Sequence, residues 1–263
     1  MTITASEFQA VRYPVAPSVT RRKSTLLDVA TPDDAAFTWN DGLALFESFN
    51  CMTFHGNANF CAPNTKDLSG ASTWQDGFRF AAYGGYTCRP IGMADDAEAK
   101  VREAFENGES FAVEAAMVSI RFAVNAAGDT PLPGAWPAPA SIGTAVATDI
   151  LLLSALEEYG ATHYNGYPVL HLPVGIASRL TATEALVWDG NILRTKYGSK
   201  VAVGAGYSAN DPKKAYVTGE VLIGKSEQIS LNAIDTTNNN MVVLAERGYI
   251  AAVDCFAATL SIT

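Results

Sequence analysis

The sequence predicts an α+β fold, and three observations carry that expectation. A long stretch with a sustained helical period runs from Ala94 to Phe122, two further helical stretches lie beyond a run of prolines, and the chain from Asn191 onward reads as successive strands. Helices first and strands afterwards, with few regular alternations, favour α+β over a doubly wound α/β sheet.

Size and charge bound what such a fold can be. The 263 residues suit one large domain or two small ones, and 48% hydrophobic content is ample for a buried core. A formal charge of −9 argues against nucleic acid or an anionic membrane as the main partner, because phosphate binding calls for a basic surface. No apolar run reaches the ~18 residues of a membrane span. The opening MTITASEFQAVRYPVAPSVTRRK lacks the basic-then-apolar order of a signal peptide, so a cytosolic protein is expected.

Taken in order, residues 1 to 36 read as an arm. Pro14, Pro17 and Pro32 are mixed with Ser, Thr and the basic triplet Arg21-Arg22-Lys23, and no helical or strand period is sustained. Such a segment orders only by lying on something else. The triplet could touch nucleic acid or an acidic neighbouring subunit, although a solvated charge run is the plainer reading. FTWNDGLALFESFN, residues 37 to 50, is rich in aromatics and is expected to pack on the core.

Residues 51 to 92 hold Gly56, Gly70, Gly77, Gly84, Gly85 and Gly92, with the polar centre NTKDLSGASTWQDG between CMTFHGNANFC and FRFAAYGGYTC. Two strand-like ends around a polar tip suggest an extended hairpin or loop. A loop of that length without its own core usually works in binding or assembly, the alternative being an irregular surface excursion.

The stretch ADDAEAKVREAFENGESFAVEAAMVSIRF, Ala94 to Phe122, then reads as a helical strut. Ala97, Val101, Ala104, Gly108, Phe111, Ala112, Ala115, Ala116 and Ser119 recur three or four apart and form one small and apolar stripe, expected to be buried against a sheet. Asp96 with Lys100, Glu98 with Arg102, and Arg102 with Glu106 are opposite charges four apart. Asn107-Gly108 is the expected weak point, a place for a kink or break.

Beyond it, GDTPLPGAWPAPAS forbids a helix through the connector. Thr144 to Tyr159 reads as a buried helix closed by Gly160, Tyr167 to Leu172 as a strand, and Pro173 to Leu180 as a second helix with proline in its first turn. Strand patterns follow at Asn191 to Arg194, Lys200 to Gly204, Ala215 to Ile223, Glu227 to Ile234 and Met241 to Ile262.

No catalytic pattern stands out. His55, His163 and His171 lack any ligand spacing and read as structural, and there is no GxSxG and no GxxxxGK[ST]. Gly204-Ala205-Gly206 is part of a dinucleotide fingerprint but is expected to follow a strand without opening a helix. Cys51, His55, Cys61 and Cys88 could supply four zinc ligands, yet their spacing is irregular, and free buried thiols are the simpler expectation for them and for Cys255. The sequence therefore predicts no enzyme, no cofactor and no metal site.

The arrangement resembles the major capsid proteins of tailed bacteriophages with the HK97 fold, in the versions found in phages of actinobacteria. AKVREAFENGESFAVEAAM resembles their spine helix, LLLSALEEYGATHYNGYPVLHLPVGIASRL their axial helices, LRTKYGSKVAVGAGY followed by AYVTGEVLIGKS their axial strands, and AERGYIAAVDCFAATLSI their returning peripheral strand. The resemblance covers about four fifths of the chain through diffuse patterns, with no invariant signature. It implies an α+β, HK97-like capsid fold with an N-terminal arm at 1 to 36, a peripheral-domain lead-in at 37 to 54 and an extended loop at 55 to 88. It further implies a peripheral domain with its spine helix at 89 to 125, an axial domain at 126 to 233, and peripheral return strands at 234 to 263.

The implied function is a non-enzymatic head protein that assembles with itself into the pentamers and hexamers of an icosahedral shell around phage double-stranded DNA. The shell would be built in the host bacterial cytoplasm and end in the virion. Its partners would be a scaffolding protein, a portal, decoration proteins and non-specifically contacted DNA, with no membrane. Some members begin with a long scaffolding domain, for which this arm is too short; the initial methionine favours scaffolding by a separate protein. Expected assembly contacts are Phe60, Leu68, Trp74, Phe78 and Phe80 in the loop and Arg21, Arg22 and Lys23 in the arm. An encapsulin-type compartment shell is the alternative within the same fold, and a Cys/His metal-binding α+β protein the alternative outside it.

Overall fold

The computed structural model describes residues 20–33, 45–48, 73–88, 96–122, 139–235, 237 and 240–263. Its central element is the expected long helix. Helix α2, Ala97–Ala116, runs for 20 residues, about 30 Å at 1.5 Å per residue, and continues into a π-helical turn at Met117–Phe122. The helix passes Asn107 and Gly108 without a break, and the change of geometry comes at Met117 instead. Of the expected ion pairs, Asp96 to Lys100 forms at 2.8 Å. Glu98 turns away from Arg102 and accepts from the Ser230 hydroxyl and the Asn232 amide.

The buried face of α2 differs from the stripe read in the sequence. Ala97, Val101, Phe105, Val113 and Met117 are buried, together with Glu109, Ser110 and Glu114. Ala104, Gly108, Phe111 and Ser119 face outward, and Ala112, Ala115 and Ala116 are half-buried. An apolar count cannot anticipate this rotation, because two of the buried positions are carboxylates whose partners come from distant parts of the chain.

Beneath α2 lies a five-stranded sheet built around β13, Asn240–Val253. One edge of β13 pairs with β4, Phe78–Cys88, from Met241 to Ala251; the other pairs first with β12, Ile229–Asp235, and then with β11, Val221–Lys225. A two-residue strand, β1 at Thr31–Pro32, runs parallel to β11. Val101, Phe105 and Val113 of the helix share one core with Ala82, Val243, Ala245, Tyr249 and Ala251 of the sheet. A separate hairpin pairs β2, Leu45–Ser48, with β3, Thr73–Asp76.

A second, seven-stranded sheet holds the other core. Its order is β5 (Ala140–Ser141), β14 (Ala257–Ser261), β10 (Lys214–Thr218), β6 (Val169–Pro173), β9 (Lys200–Gly204), β8 (Ile192–Thr195) and β7 (Leu186–Asp189). Helices α3, Asp149–His163, and α4, Val174–Ala182, cover it through Leu152, Leu156, Ile176 and Leu180. Thr148 caps α3 by accepting from the Leu151 amide, and α3 runs past Gly160 to His163 instead of ending there. Arg179 of α4 grips Asp149 of α3 with two bonds, 2.6 and 2.9 Å.

Two strand patterns that read as continuous are each divided between the sheets. The run from Ala215 to Ile223 breaks at Gly219-Glu220, leaving β10 in one sheet and β11 in the other. The run from Met241 to Ile262 breaks at Asp254 to Phe256, where Cys255 has φ +64, so β13 and β14 also part company. The expected boundary between 233 and 234 therefore does not follow the sheets: β11 and β12 join β13, and β14 crosses to the seven-stranded sheet. Alternation marks a strand as half-buried but does not say which sheet it completes.

The arm, too, is more structured near its end than its sequence suggests. Thr25 and Asp28 form a capping box, with the Thr25 amide donating to Asp28 at 2.9 Å, and this starts helix α1, Leu26–Val29. Ser24 is fully buried; its hydroxyl donates to the Val201 carbonyl at 2.6 Å and accepts from the Leu193 amide, while its carbonyl accepts from Val203. The segment from Ser24 to Pro32 is thus tied to both sheets.

Candidate functional site

The buried polar groups of the chain gather at the joint between the two sheets. Helix α5, Ala205–Asn210, follows β9 directly, so Gly204-Ala205-Gly206 does open a helix, contrary to the expectation from sequence. The two glycines serve close packing. A Cβ on Gly206 would meet the Ala115 amide and the Glu114 Cβ at 2.5 Å, and one on Gly204 would collide with the Glu114 carboxylate. With only six residues, α5 is no phosphate cradle; it is the surface on which α2 rests.

Glu114 sits in the middle of this joint with 1% of its surface exposed. Its Oε2 accepts from the Gly206 amide at 3.1 Å, and Oε1 has no hydrogen-bond partner among the described residues. Burial raises the carboxyl to about 7, with the Gly206 amide and the Arg22 charge pulling the other way. An unfolded glutamate titrates near 4.5. The folded state is therefore favoured by this group below that pH, and the contribution is lost as pH rises through 7. Glu114→Gln keeps an acceptor for Gly206 and removes the charge. We expect it to raise stability at pH 8 by up to about 3 kcal/mol and to leave it little changed at pH 4.5, as read by urea denaturation at the two pH values.

A second buried carboxylate ties α2 to the five-stranded sheet. Glu109, 2% exposed, accepts through one oxygen from both the Arg247 guanidinium and the Tyr249 hydroxyl of β13. Burial first and Glu109 second push the Tyr249 hydroxyl well above the usual phenol range. Within the other sheet, His171 is fully buried between the Tyr207 hydroxyl and the Thr218 hydroxyl, each at 2.9 Å, and burial lowers it to about 3, so the ring is neutral. The Tyr164 hydroxyl joins Asp254 to the Glu220 amide at the point where β13 hands over to β14. Each of these groups meets a structural partner, although Glu114 Oε1 and Arg247 Nε are left without one among the described residues. The Glu109 and Glu114 roles left no trace in the sequence, where both fall outside the small and apolar stripe.

The residues expected to make assembly contacts fall into three groups. Phe60 and Leu68 lie outside the described residues, and Trp74 lies in β3. Phe78 and Phe80 belong to β4 and pack inside the subunit, in a stack with Tyr249 whose ring centroids are 5.5 and 5.1 Å apart. They are thus half-buried sheet residues that already pack on the subunit's own core. Arg21, Arg22 and Lys23 are exposed beside the joint, Arg22 close enough to Glu114 to act on its charge. Cys51, His55 and Cys61 lie outside the described residues, and among the described residues no group of three His, Cys, Asp or Glu side chains could hold a metal ion. Cys255 is disulfide-bonded, which overturns the expectation of a free thiol there; spacing along the chain could not show that folding brings it to a second cysteine.

Large apolar side chains remain exposed in separate places. Tyr83, Tyr86 and Phe111 flank the groove between β4 and α2; Ile229, Leu231 and Ile234 line the edge strand β12; Tyr167, Trp188 and Tyr197 stand at the far end of the seven-stranded sheet. A monomeric protein rarely leaves several such patches uncovered.

No protein-family model matches the chain, and no curated protein sequence matches it. Solved structures do. A chain of Gordonia phage Cozz superposes with a TM-score of 0.56 over 99% of this chain and 92% of its own at 12% identity. One of Microbacterium phage Oxtober96 does so with 0.55 over 97% and 95% at 13% identity. The capsid of a native GTA particle gives 0.52 over 99% and 98% at 12% identity. The chain has the HK97-like capsid fold.

Proposed function

We propose that this HK97-like chain is a major capsid protein that assembles with itself into hexamers and pentamers of an icosahedral shell enclosing phage double-stranded DNA. The observation that carries this is full-length agreement in fold with a capsid subunit, 99% of this chain against 98% of the GTA capsid chain. The surface supports it: apolar patches on the spine groove, the β12 edge and the axial tip provide contacts in several directions, as a closed shell requires. A net charge of −9 suits a container that holds DNA without gripping it by sequence. The subunit would assemble in the host cytoplasm, with a scaffolding protein, a portal and decoration proteins as partners, and would end in the virion with no enzymatic role of its own.

Electron microscopy of the purified full chain, with and without co-expressed scaffold from the same genome, tests this directly. Closed shells are expected. Shells filled with enzyme cargo would move the protein to the encapsulin class, and a strict monomer under both conditions would end the shell proposal. A second variant probes the loop. Replacing residues 62–72, which stop short of β3, by a short Gly-Ser turn should leave the melting temperature within about 3 °C of the parent and abolish closed particles in sedimentation. Normal shells from this variant would show that the loop takes no part in assembly.

A further inference from the structure

Glu114 is 1% exposed, and the carboxyl oxygen it leaves open lies in the wall of a cavity. The cavity holds about 350 Å³ and is lined by Asn107, Ser110 and Glu114 of α2, by Ala205 of α5, and by Arg21 and Arg22 of the segment that leads to Ser24. A water takes about 30 Å³, so the space admits a guanidinium with room to spare. Glu114 Oε2 is held by the Gly206 amide, whereas Oε1 has no hydrogen bond among the described residues. A buried acceptor without a donor is costly, and more so once it carries charge.

We propose that Arg22 and Glu114 form a latch: the guanidinium turns into this cavity and donates to Glu114 Oε1 when the carboxyl is ionised, and leaves when it is protonated, fastening the segment before Ser24 to α2 in one state and freeing it in the other. Three observations select Arg22. Of the two arginines that line the cavity, it is the one whose charge pulls on the Glu114 carboxyl. It is exposed and takes part in none of the ion pairs among the described residues, so no bond has to break. Ser24, two residues on, is fixed at φ +57 by its bonds with Val201, Leu193 and Val203, so the backbone is already held beside the cavity and only the side chain has to be ordered. Asn107 and Ser110, which line the same space, can accept from the remaining guanidinium N–H groups.

The groups around the carboxyl set the pH at which the latch works. Arg22 faces it with Arg21 beside it, α1 brings the Leu26 amide and Asp28, and α5 brings the Gly206 amide and the neutral Tyr207 phenol. Burial, with Asp28 on its side, outweighs the two amides and Arg22 and holds the carboxyl at about 7. Below that pH the carboxyl is protonated and the latch open; above it the carboxylate forms and the latch closes.

The test uses the full chain as a dilute monomer and so stands whether or not shells form. The Glu114 carboxyl is titrated by carbon-13 NMR in about 0.1 M and about 1 M salt. Arg22→Gln is expected to raise its midpoint by at least about one pH unit at both concentrations, since a contact pair inside a cavity is little screened, and Arg21→Gln to leave it in place. No rise, a rise that vanishes at the higher salt, or an equal rise from Arg21→Gln would overturn the latch. The movement is read separately, from hydrogen exchange at Arg22 Nε against Arg21 Nε in the same sample. Arg22 is expected to exchange at least about tenfold more slowly than Arg21 at about pH 8 and at the same rate at about pH 5.5. A ratio that does not change with pH, as when water alone completes Oε1, would likewise overturn it.

Discussion

Arg247→Met is expected to remove about 3–5 kcal/mol of folding stability, because it leaves the Glu109 carboxylate buried with only the Tyr249 hydroxyl to face it. For a chain of this size that is roughly 6–20 °C in melting temperature. The pair joins α2 to β13, the longest strand of the five-stranded sheet, with 15% of the Arg247 side chain and 3% of the Glu109 side chain exposed, so water can do little to compensate. Most of the loss should be the cost of an orphaned charge. The double variant Glu109→Gln with Arg247→Met, in which the Gln carbonyl still accepts from Tyr249, should therefore recover more than half of it. Guanidinium denaturation of the two single variants and the double gives the coupling energy directly. A single variant within about 1 kcal/mol of the parent would show that Glu109 finds other company.

Gly206→Ala is the second large effect. One added methyl would stand 2.5 Å from the Ala115 amide and 2.7 Å from the Phe111 carbonyl, both part of the α2 backbone, so nothing can rotate away and α5 must separate from α2. A loss of about 2–3 kcal/mol is expected, at the upper end for overpacking. The same substitution at Gly108 should have the opposite sign. That position is mid-helix with open space around it, and alanine there should gain up to about 1 kcal/mol. Thermal unfolding of the two variants side by side separates packing from propensity; equal shifts would refute the close contact between α5 and α2.

The chain's periodicity determined by itself that a long helix lies within 94 to 122 and that two more helices and a set of strands follow the prolines. These are local properties, legible because helical and strand periods depend on neighbouring residues alone. Only the tertiary structure decided the rest. It turned α2 so that Glu109 and Glu114 lie inside and Ala104 and Gly108 outside, gave β11 and β12 to one sheet and β14 to the other, anchored Ser24 between strands far away in sequence, and spent Gly204 and Gly206 on helix packing where they resembled part of a nucleotide fingerprint. Each of those outcomes depends on a partner distant in the chain: a buried carboxylate is tolerable only where an arginine or an amide meets it, and a glycine is required only where another backbone comes within reach.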